Sequence, residues 1–94
     1  MIESFASEET EIIFLGRLSR KLPIDIQRTA RRKLLYLHEV IDLKDVQKVP
    51  GNRFEKLKGD REGQYSIRIN DQWRICFSWR DNKAVNVEIV DYHS

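Results

Sequence analysis

Ninety-four residues, 40% apolar and 34% charged, make a single domain (1–94) with a small core, and the periodic recurrence of Ile, Leu, Val and aromatics excludes disorder. One cysteine, Cys76, excludes an intrachain disulfide, and no apolar run approaches the ~18 residues of a membrane span. The net charge of +2 hides an uneven distribution: Glu3, Glu8, Glu9 and Glu11 are followed by seven basic residues between Arg17 and Lys33 against Asp25 alone. The first residues lack the basic and apolar regions of a signal peptide, so a cytoplasmic location is expected.

Ile2 to Phe5 reads as a short edge strand. Ser7 reads as a helix N-cap, with Glu8 and Glu9 favouring the positive end of the dipole, and the helix is expected to run through Ile12, Ile13 and Leu15 to about Leu18. Pro23 interrupts the pattern. A second helix is predicted from about Asp25 to Ile41, because Ile26, Ala30, Leu34, Leu37 and Ile41 form one stripe at spacings of three and four. The basic residues Arg17, Arg20, Lys21, Arg28, Arg31, Arg32 and Lys33 lie mostly off that stripe. Such a local patch is either an electrostatic footprint for nucleic acid or a solvated helix face. Asp42 to Asn52 reads as a connection closed by Val49-Pro50-Gly51-Asn52.

Beyond it the period changes to two. Tyr65, Ile67 and Ile69 alternate with Ser66, Arg68 and Asn70; Trp73, Ile75, Phe77 and Trp79 alternate with Arg74, Cys76, Ser78 and Arg80; Val85, Val87 and Ile89 continue the apolar face to Asp91. Asn70-Asp71 and Asp81-Asn82 read as turns. The pattern gives an α+β domain with two N-terminal helices packed on one face of a small antiparallel sheet. The uncovered face would then carry Arg68, Arg74, Glu88 and Tyr92 from three strands, an open surface suited to a phosphate backbone and a stacked base.

These residues suit metal-free RNA cleavage, in which the ribose 2′-hydroxyl is the nucleophile. Arginine matches phosphoryl oxygens bidentately, and histidine transfers protons near neutral pH. His93 is a candidate proton-transfer group, Tyr92 could stack on a base or assist proton transfer, and Asp91 could orient a neighbour. Against this, a terminal His93 would by default fray, Trp73 and Trp79 are read as core, Asp60 as a turn residue, Cys76 as a buried thiol, and His38 is given no role. Asp91 and His93 are too few for a metal site, and no cofactor is expected.

The blocks Pro50-Gly51-Asn52-Arg53, Leu57-Lys58-Gly59-Asp60-Arg61, Gln64 to Asn70, Gln72 to Phe77 and Val87 to His93 together resemble the HigB family of toxins, the plasmid-maintenance killer branch of the RelE-like superfamily. The resemblance covers essentially the whole chain. It implies a RelE-like fold and an mRNA endonuclease that cuts transcripts in the ribosomal A site without metal. It also implies a cognate HigA-type antitoxin with a helix-turn-helix domain, through which any DNA contact would be indirect. By position, Asp91, Tyr92 and His93 match the family's functional tail, Arg68 and Arg74 its sheet-borne basic residues, and Lys58 and Arg61 its basic loop, with Arg53 and Lys56 as further RNA-binding candidates. Some members place a histidine where this chain has Glu55, which leaves the general base open between Glu55, His93 and Tyr92. The competing reading is a non-catalytic RNA- or ribosome-binding inhibitor of translation.

Overall fold

The computed structural model describes residues 1–92. Expectations for His93 fall outside them. Helix α1 spans Glu8–Phe14, and the Ser7 hydroxyl accepts from the Thr10 N–H at 3.2 Å as the cap demands. It stops short of the expected end at Leu18 because Gly16 turns into the left-handed region at φ +85° and redirects the chain. Helix α2 spans Ile24–Glu39 and buries Ile26, Ala30, Leu34 and Leu37. Ile41, expected on the same stripe, is 74% exposed. The helix ends at Glu39, Val40 is extended, and its side chain takes the buried place instead.

The expected connection contains a third helix, α3, over Leu43–Lys48. The Asp42 carboxylate caps it by accepting from the Lys44 N–H at 2.9 Å, and Val46 is its buried anchor. A single anchor in six residues leaves no helical period to read. A 3-10 turn, Pro50–Asn52, follows and ends with Arg53 in the left-handed region at φ +43°.

Strands β1 (Glu55–Lys56), β2 (Tyr65–Arg68), β3 (Trp73–Arg80) and β4 (Lys83–Asp91) form an antiparallel meander in the order β1-β2-β3-β4. The N-terminal segment lies parallel along β4 through bridges Ile2–Ala84 and Phe5–Val87, which realises the expected edge strand in two pieces. His38 fixes that segment: its Nδ1 accepts from the Ile2 N–H at 3.1 Å. Asp81 and Asn82 both have positive φ, the signature of a two-residue hairpin turn whose twist matches its strands.

Helices and sheet enclose one core, in which Ile67, Ile69, Ile75, Phe77, Val87 and Ile89 meet Ile26, Ala30, Leu34, Leu37 and Val46. Trp73 and Trp79 pack against it, half-buried, as expected. Val85 departs from its assigned face. It stands opposite Ser78, whereas Glu88 stands opposite Cys76, so a bulge at Asn86 (φ +55°) intervenes. The extra residue reverses parity and sends Val85 to the side away from the helices. Among the described residues, no helix is long and apolar enough to cross a membrane.

Candidate RNA-binding and cleavage site

Strand register builds the site. Glu55 is opposite Ser66, Ser66 opposite Cys76, and Cys76 opposite Glu88, a row that crosses all four strands on the face away from the helices. Arg68 is opposite Arg74 in the neighbouring row. Alternation places Arg74 on the polar face, yet it is only 7% exposed, not open to solvent as expected. Its Nε donates to the Ser66 hydroxyl at 2.7 Å, and its Nη2 donates to the Ser66 carbonyl at 3.3 Å and to the Arg53 carbonyl. The Tyr92 ring lies over the guanidinium, 5.6 Å from its carbon to the ring centroid, within cation–π range. These neighbours bury the arginine. The bond to Arg53 also holds that residue's left-handed backbone at the end of the Pro50–Asn52 turn.

Tyr92 is tied down at both ends. Its N–H donates to the Gln72 carbonyl at 2.6 Å, and its hydroxyl donates to Glu55 Oε2 at 3.2 Å. The Glu55 charge is the main cause that pushes the phenol above its ordinary pKa, with Arg74 opposing. Gln72 also donates from Nε2 to Asp91 Oδ2 at 3.1 Å, so one side chain and its carbonyl position two adjacent tail residues. Asp91 itself is opposite Trp73 in the ladder and therefore projects to the other side of the sheet from Tyr92.

Two clefts meet at the Glu55–Tyr92 bond. One, of about 290 Å³, is lined by Arg53, Glu55, Arg68, Asn70, Asp71, Arg74 and Tyr92. The other, of about 460 Å³, is lined by Glu55 through Lys58 with Asp60, Arg61 and Tyr92. The structure thus brings together Arg53, Glu55, Arg68, Arg74 and Tyr92, and sets Lys56, Lys58 and Arg61 on the far side of the tyrosine. Arg68 is paired with Asp71, and Arg61 with Glu88 at 3.2 Å and Gln64 at 3.0 Å. Cys76 is fully buried in this face, and burial pushes its thiol pKa up, which leaves it inert.

Ser66 and Gln72 organise the site and were not legible from the sequence. Alternation marks Ser66 only as polar-face, and nothing local announces that it anchors an arginine eight residues away. Among the described residues, no group of three or more His, Cys, Asp or Glu could hold a metal ion.

The basic stretch takes a separate position. Arg17, Arg28, Arg31 and Arg32 line a groove of about 650 Å³ between the end of α1 and α2, with Leu18 and Ile24 about 70% exposed beside them.

A family model described as "RelE-like toxin of type II toxin-antitoxin system HigB" matches residues 3–93. Toxin HigB-1 of Vibrio cholerae is 42% identical over 67 residues, 71% of this chain and 70% of that protein. Endoribonuclease HigB of Proteus vulgaris is 26% identical over 93 residues, 99% of this chain and 100% of that protein. Among solved structures, a chain of the heterotetrameric YoeB–YefM toxin–antitoxin complex of Staphylococcus aureus matches with TM-score 0.57 at 20% identity, covering 100% of this chain and 99% of that one. The YoeB dimer from the same organism gives 0.51 at 21% identity, covering 99% and 98%. These structural likenesses establish the fold, as the HigB resemblance implied. The chain belongs to the HigB-like family of RelE-like toxins, each paired with an antitoxin in a type II system.

Proposed function

We propose that this toxin is an endoribonuclease that cleaves mRNA on the ribosome by attack of the ribose 2′-hydroxyl on the adjoining phosphorus. The observation that carries this reading is the Glu55–Tyr92 hydrogen bond set beside a cleft lined by Arg53, Arg68 and Arg74. A proton acceptor and phosphate-binding cations thereby face one volume. The name of the Proteus vulgaris relative supports the same reaction.

In this proposal the Glu55 carboxylate takes the proton of the 2′-hydroxyl, and the Tyr92 hydroxyl orients that carboxylate. The 2′-oxygen bonds to phosphorus, the bond to the 5′-oxygen breaks, and the products are a 2′,3′-cyclic phosphate and a 5′-hydroxyl. Arg53 and Arg68 oppose the charge that develops on the phosphoryl oxygens. Arg74 fixes the Arg53 backbone and the Tyr92 ring. His93 donates the proton to the departing 5′-oxygen; the support for it is the match to the family tail. Asp91 contributes through Gln72. Lys56, Lys58 and Arg61 receive the strand beyond Tyr92.

The partner in this reading is a HigA-type helix-turn-helix antitoxin, which also brings the toxin to DNA indirectly, and the site of action is the cytoplasm, where ribosomes translate. The exposed Leu18 and Ile24 beside Arg17, Arg28 and Arg31 suit an acidic amphipathic segment of that antitoxin. The same arginines would serve ribosomal RNA in its absence, so the two partners exclude each other.

Toeprinting of translated mRNA with the purified toxin is the test. Cleavage at A-site codons that is lost in Glu55→Gln and His93→Gln, with ribosome binding retained, is the expected result. Translation arrest with intact mRNA would establish instead the non-catalytic inhibitor.

A further inference from the structure

We propose that the cleft between α2 and the Pro50–Asn52 turn is a second nucleotide subsite, which takes a residue of the same RNA strand on the 3′ side of the scissile phosphate. The inference rests on the mRNA-cleavage reading and extends it to a surface that shares only Arg68 with the chemistry above. The cleft holds about 530 Å³, ample for one nucleotide. Its lining has two parts: the Tyr36 ring, Val49 and Ile69 form an apolar wall, and Arg32, Lys33 and Arg68 form a cationic rim. Among the described residues that line it there is no carboxylate. An apolar wall beside cations is what a base and its phosphate require together.

Two of the cations are held in place, Arg68 by Asp71 and Lys33 by the turn. Lys33 Nζ donates to the Gly51 carbonyl and to Asn52 Oδ1, both at 3.2 Å, and the Asn52 amide is itself buried and donates to the Val46 carbonyl at 3.1 Å. The Tyr36 hydroxyl donates to the Asp45 carbonyl at 3.1 Å, which fixes the ring. Lys33 is pushed below its ordinary pKa first by burial and then by the charges of Arg32, Arg68 and Arg74. An anion seated among them would relieve that repulsion.

Continuity favours a nucleotide over an acidic protein side chain. Arg68 lines both this cleft and the one that holds Arg53, Arg74 and Tyr92, so a single strand can pass from one to the other across it.

The test uses ribosomes programmed with two mRNAs, one long and one truncated just beyond the scissile phosphate, with wild-type toxin, Arg32→Ala and Lys33→Gln. Arg32 is exposed, so its variant probes the cleft even where Lys33→Gln disturbs the Pro50–Asn52 turn; because Arg32 also borders the groove between α1 and α2, the losses are read at toxin concentrations that give equal ribosome occupancy. The expected result is a rise in KM of about tenfold for the long mRNA, the scale of one charge-assisted contact, with kcat little changed and the truncated mRNA cut as by wild type. Equal losses on both mRNAs, or none on either, would overturn the subsite. So would an Arg32→Ala defect confined to antitoxin binding, which would make the cleft a protein site. Wild-type toxin inert on both lengths would remove the mRNA-cleavage reading itself, and the subsite with it.

Discussion

Arg68 and Arg74 stand directly opposite each other across the β2–β3 ladder, a like-charge pairing that a sheet ordinarily penalises. The fold separates their roles by giving each its own partners. Arg68 pairs with Asp71 at the rim and stays half-exposed, whereas Arg74 turns inward to Ser66 and the Arg53 carbonyl. In the cleavage proposed above, Arg68 is the arginine available to a phosphate, and Arg74 supports the surface beneath it.

The two should therefore separate experimentally. Arg74→Ala strips donors from the Ser66 hydroxyl and the Arg53 carbonyl, and is expected to cost about 1–3 kcal/mol of stability as well as cleavage. Arg74→Lys keeps the charge but not the fork, and should recover little of either. Arg68→Ala should leave stability within about 0.5 kcal/mol, because its partner Asp71 is almost fully exposed. Its cleavage barrier should rise by about 2–4 kcal/mol. Urea unfolding beside single-turnover cleavage decides the matter; an Arg68→Ala protein that unfolds early but cuts normally would reverse the assignment.

The Glu55–Tyr92 bond makes an alkaline signature. Because Glu55 raises the Tyr92 pKa in the folded chain, the folded state holds more protons than the unfolded one between the ordinary phenol value of about 10 and the higher folded value. The stabilisation is complete below the unfolded value and is lost as pH rises through the folded one. Glu55→Gln should move the phenol's absorbance titration down, and should flatten the alkaline stability loss seen when wild type is compared with Tyr92→Phe. An unchanged Tyr92 titration in Glu55→Gln would mean that the two groups do not interact in solution.

The elements legible in the sequence are those with a local cause. Ser7 before three glutamates announced α1, the Ile26-Ala30-Leu34-Leu37 stripe announced α2, and Asp81-Asn82 announced the last hairpin. What escaped depends on partners distant in sequence. Arg74 is buried because Tyr92, Arg53 and Ser66 converge on it, which period two cannot reveal. Val85 changed face because one residue, Asn86, was inserted into the ladder, and Asn86 looks like any other polar-face position. That bulge can be tested. Asn86→Gly should stay within about 0.5 kcal/mol of wild type, whereas Asn86→Val, forced to φ +55°, should lose about 1–2 kcal/mol. Equal stability of the two in chemical denaturation would show that β4 pairs without the bulge.

The cationic groove between α1 and α2 makes the last prediction. If Arg17, Arg28 and Arg31 meet ribosomal phosphates, each contact releases counterions, and log affinity must fall steeply with log salt. Arg28→Ala and Arg31→Ala should each reduce the magnitude of that slope by roughly 1, while leaving stability nearly unchanged, since both side chains are exposed. Replacing Leu18 by Ser should weaken the antitoxin and leave the salt slope intact, because an apolar contact releases no counterions. Sedimentation of toxin with ribosomes across a threefold range of salt, with and without antitoxin, separates these effects. A flat profile would assign the arginines to solvation of α2, and a ribosome-bound toxin that still carries its antitoxin would end the idea that the partners compete for this face.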